Sequence, residues 1–177
     1  MTMPAEDAGA RHSQPVTVSH VFGEIVWLLS QSRHHTHLTV HDMNWLVMPA
    51  VQLRQFHIFR EGERPVGVVL WALLDEPAEQ KVMRGLRDGS KLEESDWTAG
   101  DRLWLVEFVA PFANQENRQA EVMMADLVTG RFANRAFSLM RTDPANGDVK
   151  MLSVPADTGS KLAQKTQENL GEYLSCL

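Results

Sequence analysis

Arg102-Leu103-Trp104-Leu105-Val106-Glu107-Phe108-Val109-Ala110-Pro111-Phe112 decides how this chain folds. Its β-branched and aromatic residues are apolar at nearly every position, as in a strand buried on both faces rather than one that alternates against water. Strict alternation puts Leu103, Leu105, Glu107 and Val109 on one face and Trp104, Val106 and Phe108 on the other. Pro111 ends the run. A strand covered on both sides needs neighbours in a sheet and helices above and below it, so the flanking sequence must supply both.

It does. Residues 55–60 and 65–74 are β-rich runs around Glu61-Gly62-Glu63-Arg64, which predicts an antiparallel hairpin. Downstream, runs at 135–142 and 148–154 flank Pro144-Ala145-Asn146-Gly147, whose Asn-Gly step is a strong hairpin signal. Helical spacing appears at 21–30 behind Ser19 as N-cap, at 39–47 before Pro49, at 76–86, at 115–128 and at 160–174. The expected fold is a single mixed α/β domain over 19–177, a mostly antiparallel sheet with flanking helices. Residues 1–18 are expected to be a mobile leader because they are rich in small and polar residues without periodicity.

Composition excludes several functions. Seventeen Lys and Arg against 23 Asp and Glu give a net charge of -6 over 177 residues. With no basic stripe, there is nothing to displace counterions from a nucleic acid. At 44% hydrophobic and 23% charged residues, the chain can build a core without covalent staples. Cys176, the single cysteine, has no partner for an intramolecular disulfide. The apolar runs are too short and too charged to span a bilayer, and 1–14 has no apolar signal core, so a cytoplasmic location is expected.

Glycine-rich phosphate loops, a G-x-S-x-G elbow and a C-x-x-C pair are all missing, which leaves histidine and carboxylate as the chemistry. Four of seven histidines fall in Ser32-Arg33-His34-His35-Thr36-His37-Leu38-Thr39-Val40-His41. His37 and His41, four apart, suit a metal site with Asp42 or His34 as a further ligand. Alternatively one of the four is a catalytic base, or all are solvated loop residues. Glu107 is the second anomaly, because a carboxylate in an apolar strand needs a partner. Two partners suit it: an arginine (Arg102, Arg135 or Arg141) or an imidazole that it orients.

The seventeen residues Asp96-Trp97-Thr98-Ala99-Gly100-Asp101-Arg102-Leu103-Trp104-Leu105-Val106-Glu107-Phe108-Val109-Ala110-Pro111-Phe112 resemble the D-W-T-S-G-D-R-x-W-x-x-D-W-I-A-P-F block of the RTX toxin-activating lysine acyltransferases. Three weaker blocks agree in order. Trp27-Leu28-Leu29 through Ser32 to His35 resembles W-L-W-x-x-S-x-x-H, Pro65-Val66 through Trp71-Ala72 resembles P-V-A-Y-C-S-W-A, and Arg135-Ala136 through Arg141-Thr142-Asp143-Pro144 resembles R-A-I-R-V-D-P.

The resemblance implies an enzyme that moves a fatty acyl group from acyl carrier protein to internal lysines of an RTX protoxin. It implies a fold similar to the Gcn5-related acetyltransferases, a homodimer, no metal, and no cofactor beyond the carrier-protein thioester. The family's catalytic histidine falls on His35, its serine on Ser32, its catalytic aspartate on Glu107 and an arginine of its site on Arg141. The chain departs from the family pattern at Glu107, where the block has Asp, at Val68, where it has Tyr, and at Leu46, where it has Asn. A non-catalytic member that binds the carrier or the toxin is the alternative these departures raise. An acidic carrier would need a local basic patch, for which Arg54, Arg60, Arg64, Lys81, Arg84, Arg87, Arg118, Arg131 and Arg135 are candidates.

Overall fold

Thr17 opens the first described element: its hydroxyl accepts from the His20 amide at 3.2 Å and caps α1, Val18–Gln31. The helix starts earlier than expected because Thr17, not Ser19, takes the cap. These coordinates are a computed structural model, which describes residues 17–142 and 148–175. Most of the expected leader and the turn at 144–147 therefore lie outside the described residues. Val21, Ile25, Leu28 and Leu29 of α1 are buried at helical spacing and form one side of the core.

The helix expected at 39–47 is broken. Thr39 and Asp42 cap each other around the 3-10 turn Val40–Asp42, after which come α2, Met43–Leu46, and α3, Met48–Gln52. Pro49 lies in the first turn of α3 rather than behind a helix end, a position where its missing N–H leaves no intrahelical bond unmade. The hairpin β1, Phe56–Glu61, and β2, Arg64–Leu74, forms as expected, turning through Gly62 at φ 62°. Asp75 caps α4, Glu76–Asp88, and Gly89 closes it at φ 74°. A 3-10 turn, Glu94–Thr98, leads into β3, Arg102–Val109.

The next helix, α5, Gln119–Thr129, begins later than its apolar pattern suggests. The Asn114 side chain accepts from the Glu116 and Asn117 amides, both at 2.9 Å, and holds those residues in a turn. Strands β4, Phe137–Thr142, and β5, Val149–Val154, pair antiparallel, and α6, Thr158–Ser175, follows.

The five strands lie in the order β1-β2-β3-β4-β5, all antiparallel except β3 with β4, which are joined across α5. This is the mixed, mostly antiparallel sheet the sequence predicts. Residues of α1, α2 and α3 cover one face together with Val68, Leu70, Ala72 and Trp104. Met123, Leu127 and Val128 of α5 cover the other, against Val69, Trp71, Leu103 and Leu105. Leu46 and Val68, two of the departures from the family pattern, are core residues under α1.

One irregularity positions the site. On β3, Glu107 stands opposite Leu70 and Leu105 opposite Trp71, so Val106 is an extra residue in the ladder. This β-bulge breaks the alternation. Beyond it, Glu107 shares the face of Leu70 and Val109 packs with α1, while Phe108 turns to the α5 side. Alternation from Leu105 had put Glu107 and Val109 on the α5 side. The bulge reverses that and brings the carboxylate under α1.

Candidate active site

The site forms where α1 stops. Ser32 leaves the helical region at φ -93°, ψ 122°, and its amide bonds the Leu29 carbonyl at 3.0 Å. The His35 amide then bonds the Ser32 carbonyl, and the Leu38 amide the His35 carbonyl, each at 3.0 Å. Two successive turns thus hold the imidazole against the C-terminal end of α1, over the sheet. Sequence alone could not separate His35 from its neighbours by spacing; the fold does so, since His34, His37 and His41 are exposed and His35 is not.

Both ring nitrogens of His35 are engaged. Nδ1 lies 2.8 Å from Ser32 Oγ and Nε2 lies 3.0 Å from Glu107 Oε2. Facing an ionised carboxylate, which only accepts, Nε2 is the nitrogen that carries the proton. Nδ1 is then the lone-pair nitrogen and the Ser32 hydroxyl donates to it. Hydroxyl, imidazole and carboxylate stand in the order of a hydrolase triad, with the roles of the two ring nitrogens exchanged. Ser32 is buried, and the side chains of His35 and Glu107 are 14% and 25% exposed, so the relay is largely screened from water yet open at the carboxylate end.

Glu107 therefore pairs with an imidazole. Arg102 is committed to α4, where it bonds Glu79 and lies 3.6 Å from Glu76. Arg135 is exposed. Arg141 is exposed on β4 opposite Lys150 and, among the described residues, makes no hydrogen bond or ion pair with Ser32, His35 or Glu107. By alternation it shares Leu139's side of the sheet, away from α1. Three of the four residues implied by the resemblance come together, and the fourth does not. Among the described residues no group of three or more His, Cys, Asp or Glu is placed to hold a metal ion.

The candidate docking cations are scattered, and several have partners. Arg60 grips Glu24 of α1 with two bonds of 2.8 and 2.6 Å, Lys81 bonds Asp96 at 2.8 Å, Arg64 lies over Phe112 and Arg131 over Trp71. Residues 38–43 beside the site are fastened by Asp42. Its carboxylate takes bonds from Lys91 at 2.6 Å, Trp45 at 3.0 Å, and the amide and hydroxyl of Thr39 at 2.9 and 2.7 Å. The Lys91 contact, then those of Trp45 and Thr39, hold the Asp42 carboxyl well below the ordinary carboxylate range. Among the described residues, no helix is long and apolar enough to cross a membrane.

The model of the RTX toxin acyltransferase family matches residues 14–156. The RTX-III toxin-activating lysine-acyltransferase ApxIIC of Actinobacillus pleuropneumoniae is 28% identical over 158 residues, covering 86% of each chain. The protein-lysine myristoyltransferase HlyC of Escherichia coli is 29% identical over 124 residues, 70% of this chain and 68% of its own. The protein-lysine palmitoyltransferase CyaC of Bordetella bronchiseptica is 32% identical over 104 residues, 59% of this chain and 55% of its own. Its relatives are thus named as protein-lysine acyltransferases, and the chain itself belongs to the RTX toxin acyltransferase family.

Proposed function

We propose that this protein is a protein-lysine fatty acyltransferase of the cytoplasm, which moves an acyl chain from acyl carrier protein to internal lysines of an RTX protoxin and so activates it. The observation that carries the reading is the Ser32–His35–Glu107 chain of hydrogen bonds. A lysine of ordinary pKa about 10.4 is only about one part in 2,500 neutral at pH 7, a cost of roughly 4.6 kcal/mol for presenting a free amine. A general base beside the thioester offsets part of that.

In this reading the amine attacks the thioester carbonyl while its proton passes to His35 Nδ1, directly or through the Ser32 hydroxyl, which gives its own proton to the ring. The imidazolium is held by Glu107. When the tetrahedral adduct collapses, the carbon–sulfur bond breaks and the imidazolium returns a proton to the departing thiolate. Such acid–base assistance is worth about 10²- to 10⁴-fold. In this reading Arg141, exposed on β4 opposite Lys150, does not touch the reacting atoms.

Glu107 in place of the family's aspartate supports a working site rather than a binding-only member. The longer side chain reaches the imidazole at 3.0 Å, the separation of a good hydrogen bond. The test is co-expression with an RTX protein, followed by mass analysis of that protein's lysine peptides. Fatty-acyl additions that depend on this chain are expected; peptides unmodified in its presence contradict the reading.

A further inference from the structure

A cleft of about 280 Å³ opens beside His35, between the C-terminal half of α1 and residues 38–43. His35 lines it together with Val26, Leu29, Leu38, Val40 and Met43. No charged side chain does. Each hydroxyl in its wall is already bonded within the protein: Ser30 to the Trp27 carbonyl at 2.7 Å, Thr36 to the Arg33 carbonyl at 3.3 Å and Thr39 to Asp42 at 2.7 Å. The cleft therefore offers a ligand a mainly apolar lining, with each of its side-chain hydroxyls already bonded. Met43 is buried, whereas Val40, on the 3-10 turn, is 87% exposed at the edge of the cleft.

We propose that this cleft holds the carbonyl-proximal stretch of the fatty acyl chain, with Met43 as its floor and Val40 as its lip. The inference rests on the acyltransferase reading above. Three observations favour this occupant. The cleft is continuous with His35, where the thioester carbonyl must sit. Its lining suits a hydrocarbon. Its volume has room for roughly nine groups the size of a water molecule at about 30 Å³ each. A larger cleft of about 570 Å³ lies between α2, α3 and the turn at Glu94–Thr98, but Glu93 and Glu94 line it and His35 does not. A longer chain runs out past Val40, so the enzyme senses the first part of the chain most sharply and tolerates variation beyond it.

The expected signature is a break in chain-length dependence. Each methylene buried in the cleft is worth about fourfold in affinity, so binding tightens up to about nine carbons and then flattens. The measurement is displacement of a dansyl-labelled fatty acid from the full-length protein by straight-chain fatty acids from butanoate to hexadecanoate. Met43→Ala deepens the floor and moves the break to longer chains. Val40→Asp, at an exposed position that leaves the core intact, weakens binding by about tenfold for chains long enough to reach the lip. Val122→Asp, an exposed apolar residue on α5, leaves the series unchanged. Displacement that does not vary with chain length, or that ignores both Met43→Ala and Val40→Asp, overturns the assignment. Length-dependent binding without lysine acylation by the wild-type protein supports the cleft and defeats the acyltransferase reading.

Discussion

Replacing Glu107 by glutamine preserves shape and removes only the charge that faces His35. At the observed 3.0 Å, two unit charges attract by about 5.5 kcal/mol with an effective dielectric near 20. Glu107 keeps a quarter of its side chain in contact with solvent, which screens the pair and brings the expected loss nearer ~3 kcal/mol, about 150-fold in rate. There is a second effect. The glutamine amide can donate to Nε2, which transfers the ring proton to Nδ1 and leaves the Ser32 side without a lone pair. Together these put Glu107→Gln at about 10²- to 10⁴-fold below wild type. The assay is the initial rate of acyl addition to lysine peptides of a co-purified RTX protein, with thermal unfolding as a control for folding. Glu107→Asp withdraws the carboxylate by one carbon–carbon bond, about 1.5 Å, and is expected to fall between the two. A Glu107→Gln protein that is folded and within about threefold of wild type would refute the role of the carboxylate.

Three further substitutions probe the rest of the account. Ser32→Ala removes the partner of Nδ1 and is expected to slow transfer by about tenfold through misorientation of the ring; a wild-type rate in the folded variant would contradict the part given to that hydrogen bond. Gly100→Ala would drive a Cβ into the Leu74 carbonyl and the Asp75 amide, with the Gly100 amide bonded to Leu73, so a loss of about 1–3 kcal/mol is expected in chemical denaturation. Asp42 titrates below the ordinary carboxylate range in the folded state, so its contribution to stability is complete above the unfolded value near 3.9 and is lost as pH falls through the folded one. Thermal unfolding should therefore fall more steeply for wild type than for Asp42→Asn from about pH 5 downward, the two curves converging in acid; parallel curves would contradict the Lys91–Asp42–Trp45 arrangement.

Much of the fold was legible because its strands are unusually apolar. The hairpin of β1 and β2, the central strand β3 and the mixed, mostly antiparallel sheet all follow from runs that only a doubly covered sheet accommodates. The same property hid the bulge. A strand with apolar residues on both faces carries no alternation to betray an inserted residue, so Val106 could not be distinguished from its neighbours, and Glu107 was expected on the wrong side. Helix ends moved wherever a side chain outcompeted the apolar period, as at Thr17, at Thr39 with Asp42, and at Asn114.

Within the site, the family block singled out His35, Ser32 and Glu107 before any geometry was known, and the structure brings these three together. Arg141 was named by the same resemblance, yet strand alternation turns it away from them. The apolar cleft had no signal in sequence, because the continuous helix expected over 39–47 is broken at the 3-10 turn Val40–Asp42, and only that break sets Leu38, Val40 and Met43 beside α1.

The most direct test compares wild type with His35→Ala, each co-expressed with an RTX protein, by the mass of acyl additions on that protein's lysines. The account predicts fatty-acyl lysines with wild type and none with His35→Ala, both proteins being folded by circular dichroism. Acylation that persists at wild-type level in folded His35→Ala protein would contradict it.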